Sequence, residues 1–397
     1  MTARPPLLVS LSLGLAIALS ACGDDNAPGS AADAGGDGAG SEADASPAPD
    51  SGAPASATAF AVATDFFTAG VASTVSVPGL EVHADAIEGV ASTDPVVRLQ
   101  GDRLFVINRF GQDNVTILDA ARVSLVDQIS TGAGSNPQDV AQVGDRLYVA
   151  ALGAPGILVL DPARPDAGVV DTIDLSDLDP DDGLPDCGSV VALGDQIVAV
   201  CGILGDDAMQ TPRGPGVVAL IDGARGELID TAPLTQIRPF GLVQGAPSGD
   251  AVLIATVDSF AQPASGGCVE RVAVGPGTIE SDGCVVNNAD LGGFVSALAW
   301  SRAGDQFWIT VTTSFDPEDG GAHGDLVSVP AGGGTPVTAD LADDFRPMDL
   351  AICPTGHLVV SDATRGVRVL APGADRELTS APLDIGLPPV SNGLVCY

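Results

Sequence analysis

Apolar and polar positions alternate in short blocks along residues 136–175, NPQDVAQVGDRLYVAALGAPGILVLDPARPDAGVVDTIDL. A short apolar run precedes the turn residues Gly144-Asp145, and the continuous apolar run 147–152 that follows them is typical of a strand buried on both faces. A second turn leads to a third apolar run, and the more polar segment 169–175 has the character of an outer edge strand. The stretch therefore predicts four antiparallel strands in about forty residues, and so small a sheet needs neighbouring sheets to cover its faces.

The same block recurs along the chain, and a Gly-Asp turn marks each copy. The markers are Gly101-Asp102, Gly144-Asp145, Gly194-Asp195, Gly249-Asp250, Gly304-Asp305 and the degenerate Thr355-Gly356. Successive Gly-Asp turns are separated by about 43 to 55 residues, so the variation in length falls in loops and not in strands. An apolar run of strand length follows each marker, and the pattern predicts six complete four-stranded units.

The two ends of the chain predict a seventh unit. Residues 60–66, 71–77 and 81–87 offer three strands that lack a first strand, and residues 390–397 offer a first strand with nothing after it. Pairing these segments would close a ring and remove an exposed edge. The predicted fold is all-β: a seven-bladed β-propeller of four-stranded antiparallel blades over residues 59–397. Six blades, eight blades and an open β-solenoid are the alternatives.

Several short motifs resemble the blades of the YVTN family of β-propellers. They are Pro137-Gln138-Asp139-Val140, Pro347-Met348-Asp349-Leu350, Leu147-Tyr148-Val149-Ala150 and Leu158-Val159-Leu160-Asp161. The resemblance extends over most of the repeat region and implies the propeller fold. It implies no particular activity, because one fold carries many functions.

The first residues have the pattern of an export signal. Arg4 precedes an apolar run at 7–19 that is short for a membrane span, which predicts a signal peptide over residues 1–21. Leu19-Ser20-Ala21-Cys22 resembles the bacterial lipobox, and this resemblance implies cleavage before Cys22 and lipidation of its thiol. An ordinary signal peptide with a chance cysteine is the alternative.

Residues 22–58 are rich in Gly, Ala, Ser, Asp and Pro and contain no aromatic residue. This composition cannot bury enough apolar surface to fold, so it predicts a flexible linker between the lipid anchor and the propeller. The expected location is the bacterial cell envelope, at the outer membrane or cell surface in preference to the inner membrane.

The formal net charge is −36, and all 16 basic residues are Arg. So acidic a chain lacks the basic surface that binding to phosphates needs. The sequence therefore excludes nucleic acid as a partner, and it predicts that membrane attachment depends on the lipid anchor.

Six cysteines remain besides Cys22, and an even number in an exported chain predicts disulfides. The predicted pairs are Cys187–Cys201 and Cys268–Cys284, each flanking a hairpin turn, and Cys353–Cys396 on the first strands of neighbouring blades. The third pair would staple the closure of the ring. Buried free thiols are the alternative.

The densest acidic segment is a loop with alternating aspartates. Its members are Asp177, Asp179, Asp181, Asp182 and Asp186. Several hard oxygens within a flexible turn that contains Gly183 are what calcium requires, so calcium is the one cofactor that the sequence suggests, although none is required. A solvated acidic loop is the alternative, and Asp206-Asp207 on the next long loop could add a ligand.

Asn136, Arg238 and Arg346 each precede a proline at the start of a predicted first strand. First strands crowd around the axis of a propeller, so these side chains could converge on one mouth of the channel and bind a carboxylate or a phosphate. The favoured alternative is structural: the two arginines would pair with the aspartates at 139, 258 or 349 and hold blades together.

The sequence offers no set of catalytic residues. His83, His323 and His357 lie far apart in the repeat, and neither a Gly-x-Ser-x-Gly motif nor a phosphate loop occurs. The sequence favours a binding or scaffold module for a protein or small ligand, recognised by the long loops of blades three to six. The alternatives are a hydrolase that resembles propeller lactonases, with a metal in the channel, and a structural envelope protein.

Overall fold

The computed structural model describes residues 54–205, 211–260, 262–315, 322–339, 341, 345–363 and 366–397. These residues form seven four-stranded antiparallel sheets, and the innermost strands of successive sheets contact one another around a ring. The predicted seven-bladed β-propeller is confirmed. The signal peptide, Cys22 and most of the linker lie outside the described residues, as does Asp206-Asp207.

Each blade runs from an innermost first strand to an outermost fourth strand, with strands numbered in chain order. Blade 1 contains β28 (Pro389–Cys396), β1 (Ala57–Thr64), β2 (Gly70–Val77) and β3 (Val82–His83). Blade 2 contains β4 (Pro95–Gln100), β5 (Arg103–Asn108), β6 (Asn114–Asp119) and β7 (Ser124–Ser130). Blade 3 contains β8 (Pro137–Val143), β9 (Arg146–Ala151), β10 (Gly156–Leu160) and β11 (Val169–Asp174). Blade 4 contains β12 (Cys187–Leu193), β13 (Gln196–Cys201), β14 (Val217–Asp222) and β15 (Glu227–Pro233).

The remaining blades follow the same order. Blade 5 contains β16 (Pro239–Gly245), β17 (Ala251–Thr256), β18 (Cys268–Gly275) and β19 (Thr278–Asn287). Blade 6 contains β20 (Phe294–Trp300), β21 (Gln306–Phe315), β22 (Ala322–Pro330) and β23 (Val337–Thr338). Blade 7 contains β24 (Pro347–Ile352), β25 (Leu358–Asp362), β26 (Gly366–Leu370) and β27 (Leu383–Asp384). Helical segments are short: the 3-10 turns Pro165–Ala167, Ser176–Leu178 and Pro372–Ala374, and the single α-helical turn α1 (Asn288–Leu291).

None of the helices in the part of the chain that the structure describes has the length and apolar character needed to cross a bilayer.

The Gly-Asp turns connect the first and second strands as predicted. Gly101, Gly144 and Gly194 have φ values of 60°, 56° and 59°, in the left-handed region that residues with a Cβ avoid. These two-residue turns match the twist of the flanking strands, so the first strand of each of blades 2 to 4 returns directly as its second.

Apolar side chains pack between neighbouring blades, because a single four-stranded sheet has two faces to cover. The cluster between blades 2 and 3 is typical: Phe105, Ile107 and Ile117 of one blade pack with Leu147 and Leu160 of the next, all almost fully buried. Strands buried on both faces explain the continuous apolar runs in the sequence.

The C-terminal strand closes the ring. β28 pairs with β1 in blade 1 and contacts β24 of blade 7, so the last strand of the chain is the innermost strand of the first blade. The predicted closure is confirmed. The expected strand 81–87 is only Val82–His83, because Asp85 takes a φ of 50° and turns the chain out of the sheet.

Three disulfides join the predicted cysteine pairs. Cys187–Cys201 and Cys268–Cys284 cross-link strands within blades 4 and 5, whereas Cys353–Cys396 joins the end of β24 to the end of β28. The third disulfide therefore fixes the closing strand to the neighbouring blade. Disulfides persist in oxidising compartments, and their presence fits a protein that matures outside the cytoplasm.

Candidate ligand-binding face

The two ends of the propeller differ in their connections. We call the end at which the innermost strands begin the loop face and the opposite end the turn face. The turn face carries the two-residue Gly-Asp turns of blades 2 to 4, whereas the loop face carries the long connections 175–186, 202–216 and 257–267. Long loops on a rigid scaffold are the usual carriers of binding sites, so the loop face is the candidate site.

Seven residues that precede the innermost strands surround the axis at the loop face. They are Asp94, Asn136, Asp186, Arg238, Gly293, Arg346 and Pro388. In five blades the carbonyl of this residue accepts a hydrogen bond from the N–H just after the second strand; Leu152 N–H to Asn136 and Ala363 N–H to Arg346 are examples, at 3.2 and 2.8 Å. In blade 1 the donor is Thr64, the last residue of the second strand. Asn136, Arg238 and Arg346 thus occupy equivalent positions around one mouth of the channel.

Hydrogen bonds join the first members of this ring across blades 2 and 3. Arg109 donates to Asp94 at 2.5 Å and to Gln138 Oε1 at 3.2 Å, and Gln138 in turn donates to Asn136 Oδ1 at 2.9 Å. The Phe110 N–H donates to the same Asn136 oxygen at 3.2 Å. Asn136 therefore helps to hold the two blades together.

An aromatic ring supports Arg238. Its guanidinium lies 5.7 Å from the centre of the Phe260 ring, which contacts Phe294 edge-on with ring centres 5.5 Å apart. Stacking on an aromatic face favours a guanidinium in a defined orientation.

Two buried aspartates on innermost strands connect neighbouring blades. Asp139 accepts the N–H of Val190 on the next innermost strand at 3.1 Å, and Asp349 accepts the N–H of Leu394 at 2.9 Å. Both aspartates occupy the third position of the motifs that resemble YVTN blades. The Pro-x-Asp motif therefore places a carboxylate on the innermost strand, where it accepts a backbone hydrogen bond from the innermost strand of the next blade.

Arg98 completes this network where three innermost strands meet. Its Nε donates to Asp139 at 2.7 Å and its Nη2 to Asn392 Oδ1 at 3.1 Å, which joins β4 to β8 and β28. Asp139 thus pairs with Arg98 and not with the arginines that the sequence suggested. A lone arginine in the apolar strand PVVRLQ was the signal that could have revealed this role.

Burial shifts the protonation of these aspartates. Burial raises the pKa of Asp349 to about 7, although the Leu350 N–H, the Arg98 charge and the Leu394 N–H favour its ionised form. Burial likewise raises the pKa of Asp139 against the opposing charge of Arg98. Ionisation of these linking groups is therefore costly inside the ring.

The acidic loop is organised around an arginine. Arg213, from the connection 202–216, lies 2.7 Å from Asp179, 3.1 Å from Asp182 and 3.8 Å from Asp181. Asp179 has a side chain only 1% exposed, so its charge is neutralised by Arg213 inside the loop. Arg213 is the one basic residue of the connection 202–216, and the aspartate pattern alone does not point to it.

The other two predicted calcium ligands lie outside this group. Asp177 is exposed in the turn Ser176–Leu178, and Asp186 accepts the N–H of Leu204 at 2.9 Å. Burial, with the neighbouring carboxylates of Asp182 and Asp179, raises the pKa of Asp186 to about 7. Among the described residues, no group of three or more His, Cys, Asp or Glu side chains is placed to hold a metal ion. Calcium binding to the loop stays a prediction.

Arg213→Ala is expected to turn the acidic loop into a calcium-dependent element. Loss of the guanidinium leaves three carboxylates in mutual repulsion, and calcium is the cation that such oxygens bind, at about 0.1–1 mM in extracellular modules. We expect calcium at about ten times that concentration to raise the Tm of the variant by a few degrees more than that of the wild type, measured by calorimetry.

Arg225→Ala is the matched control, because Arg225 forms an exposed ion pair with Asp222 at 3.2 Å in the same blade. Magnesium at equal concentration controls for ionic strength. A Tm of the Arg213→Ala protein that calcium leaves unchanged would contradict the prediction.

The three histidines are separated in the structure. His83 lies in the outermost strand of blade 1, His323 in the third strand of blade 6, and His357 just before β25. The fold does not bring them together.

No protein-family model matches the sequence, and no curated protein matches it. Among solved structures, a putative 6-phosphogluconolactonase from Bacteroides uniformis has 12% identity and a TM-score of 0.58, with 86% of this chain and 99% of that chain covered. The periplasmic gluconolactonase of Pseudomonas aeruginosa has 16% identity and a TM-score of 0.55 over 85% and 98% of the two chains. Hydrazine synthase of Kuenenia stuttgartiensis has 16% identity and a TM-score of 0.51 over 68% and 74%. At these identities the likeness shows the propeller fold alone.

Proposed function

We propose that the protein is a lipid-anchored, extracytoplasmic β-propeller that binds a protein or small-molecule partner through its loop face. The observation that carries the proposal is the pairing of Arg213 with Asp179 and Asp182 at 2.7 and 3.1 Å, which ties the connection 175–186 to the described end of the connection 202–216. Ordering a long loop costs conformational entropy. Because the ion pairs already order these loop segments in the free protein, binding of a partner has to offset less of that entropy cost.

The proposed anchor is the lipidated thiol of Cys22. The linker that follows would hold the propeller away from the membrane, since the first strand begins at Ala57. Several acyl chains on one residue give durable attachment, whereas a single chain gives only marginal binding. The disulfides support an oxidising location such as the cell envelope.

A lactonase-like hydrolase is the competing proposal. Two solved structures with this fold are described as lactonases, but at 12% and 16% identity that description does not extend to this chain. An enzyme with a channel metal needs carboxylates or histidines converging near the axis. In the described part of this chain the innermost strands instead present Arg98, already bound to Asp139 and Asn392. A binding module is therefore the better supported function, and a structural envelope protein remains the third alternative.

Photo-crosslinking from the two faces tests the proposal. A benzoylphenylalanine replacing Asp181 reports on the loop face, and one replacing Asp102 reports on the turn face; the native side chains are 72% and 83% exposed. In the cells that produce the protein, we expect an adduct of defined mass from position 181 and none from position 102. Cys22→Ser should move the protein from the membrane fraction to the soluble fraction. Equal adducts from both faces, or none from position 181, would contradict the assignment of the binding face.

A further inference from the structure

A cleft of about 290 Å³ opens between blades 1 and 2 on the loop face. It shares no lining residue with the acidic loop, and its walls come from the connection between the two blades and from the ends of β5, β6 and β7. The described residues that line it carry amide, hydroxyl and backbone groups and no charged side chain. An uncharged lining is unexpected in a chain with a net charge of −36.

Asn108 fixes the walls of this cleft. The residue is 3% exposed; its amide donates to the Val90 carbonyl and to Asn114 Oδ1, each at 3.0 Å, and its oxygen accepts the Ser92 N–H at 2.8 Å. Gly70 at the start of β2 packs directly against the backbone of Ser92 in this connection. A side chain at position 70 would not fit, because its Cβ would lie 1.9 Å from the Ser92 carbonyl oxygen. The cleft is therefore formed in advance of any ligand.

The same walls offer polar groups that the fold does not use. Among the residues that the structure describes, the Gln112 amide and the Thr93 hydroxyl have no hydrogen-bond partner, and both line the cleft. Gln128, which donates to Thr116 Oγ1 at 2.8 Å, adds an amide oxygen. An amide and a hydroxyl each donate and accept hydrogen bonds, which suits a ligand with several hydroxyl groups.

Two exposed phenylalanines lie outside the lining itself, in loops that each contribute a residue to it. Phe67 is 79% exposed and adjoins Thr68 of the lining, and Phe110 is 51% exposed in the loop that contains Gln112. An exposed phenyl ring offers a rigid apolar surface on which a ligand can pack. The chain is only 4% aromatic, so their position beside the cleft is informative.

Both loops hold their phenylalanines in place. The Asp65 carboxylate accepts the N–H groups of Phe67, Thr68 and Ala69 at 2.9, 2.7 and 2.9 Å. The Thr68 hydroxyl and these N–H groups hold the pKa of Asp65 well below its usual range, because they stabilise its ionised form. Phe110 takes a φ of 34°, which is strained for an aromatic residue and is supported by its N–H bond to Asn136.

We infer that this cleft binds a neutral oligosaccharide, with hexose hydroxyls on the Gln112, Thr93 and Gln128 groups and the apolar faces of the sugar rings on Phe67 and Phe110. A pyranose combines hydroxyl edges with C–H faces, and the latter pack on the negative face of a phenyl ring. The cleft volume suits about one to two hexose units. A charged ligand would lose its hydration without gaining a counter-charge here. The inference deepens the proposed function and rests on the loop face being the binding face.

Calorimetric titration of the full-length chain with maltohexaose, cellohexaose and chitohexaose tests the inference, in a detergent without a sugar headgroup. We expect at least one of the three to bind, and we expect Phe67→Ala and Phe110→Ala each to weaken that binding about five- to tenfold. Gln112→Ala should weaken it as well. Leu228→Ala is the matched control, because Leu228 is an apolar side chain 43% exposed on blade 4, away from the cleft.

Unchanged melting curves would show that the phenylalanine variants are folded. The inference is overturned if none of the oligosaccharides gives heat at about 10 mM. It is also overturned if binding is the same in the wild type and in both phenylalanine variants. A loop-face photo-adduct without oligosaccharide binding would leave the proposed function standing and remove only the saccharide.

Discussion

Replacing Cys353 and Cys396 together by alanine is expected to lower the free energy of unfolding by about 4 kcal/mol. The disulfide joins residues 43 apart in sequence, and its removal restores conformational entropy to the unfolded chain in proportion to the logarithm of that separation. Guanidinium denaturation without reductant measures the difference. The result is large because the total stability of a domain is about 5–15 kcal/mol.

Cys187→Ala with Cys201→Ala is the matched control, with an expected loss of about 3 kcal/mol for a separation of 14 residues. The exchange rates of backbone amide hydrogens distinguish the two variants more clearly than their total stabilities do. Without Cys353–Cys396, the amides of β28 and β1 should lose protection before the rest of the protein, because only strand pairing then holds the closing strand. Uniform loss of protection in both variants would contradict a specific role in closure.

The second large effect concerns pH and Asp349. Folding raises the pKa of this carboxyl from 3.8 to about 7, so between those values the folded chain holds a proton that the unfolded chain has released. The free energy of unfolding must therefore fall as the pH rises across that window, by about 4 kcal/mol from this group alone. At pH above 7 the ring carries the full cost of a buried charge.

Asp349→Asn should flatten this pH dependence. The amide does not titrate, so the fall in stability between pH 4 and pH 8, measured by denaturation at a series of pH values, should be smaller than in the wild type by most of that amount. Asp139 and Asp186 shift in the same direction and remain in the variant, so some dependence persists. Asp102→Asn, at an exposed turn, should keep the wild-type slope. Equal slopes in the Asp349→Asn and wild-type proteins would show that another group carries the effect.

The blades and the disulfides were predictable because their determinants are local or repeat with the blade. A Gly-Asp turn fixes the register of the two strands beside it, which brings Cys201 to within one residue of Cys187, and a β-bulge before Ser189 places the two cysteines directly opposite. Ring closure was predictable from the two ends of the chain together. The C-terminal segment has the pattern of a first strand with no second strand after it, and the N-terminal segment has three strands with no first strand before them.

The contacts between blades were not predictable in this way. Arg98 meets Asn392, almost three hundred residues later, and Arg213 meets Asp179 across two loops of irregular length. The pattern of apolar and polar residues in a strand predicts that a side chain faces inward, but it does not predict which residue of another blade that side chain contacts. One feature of the sequence could have pointed to the cleft between blades 1 and 2: the few phenylalanines of the chain include two that lie beside turn residues. The blade repeat does not reveal this feature, because it describes the strands and not the loops.

The closing strand also sets the order in which the protein can mature. Because β28 supplies the innermost strand of blade 1, strands β1 to β3 have no inner partner until the chain has been made as far as residue 396. Blade 1 therefore cannot be completed during synthesis of the earlier blades. The Cys353–Cys396 bond can form only after the closing strand is present.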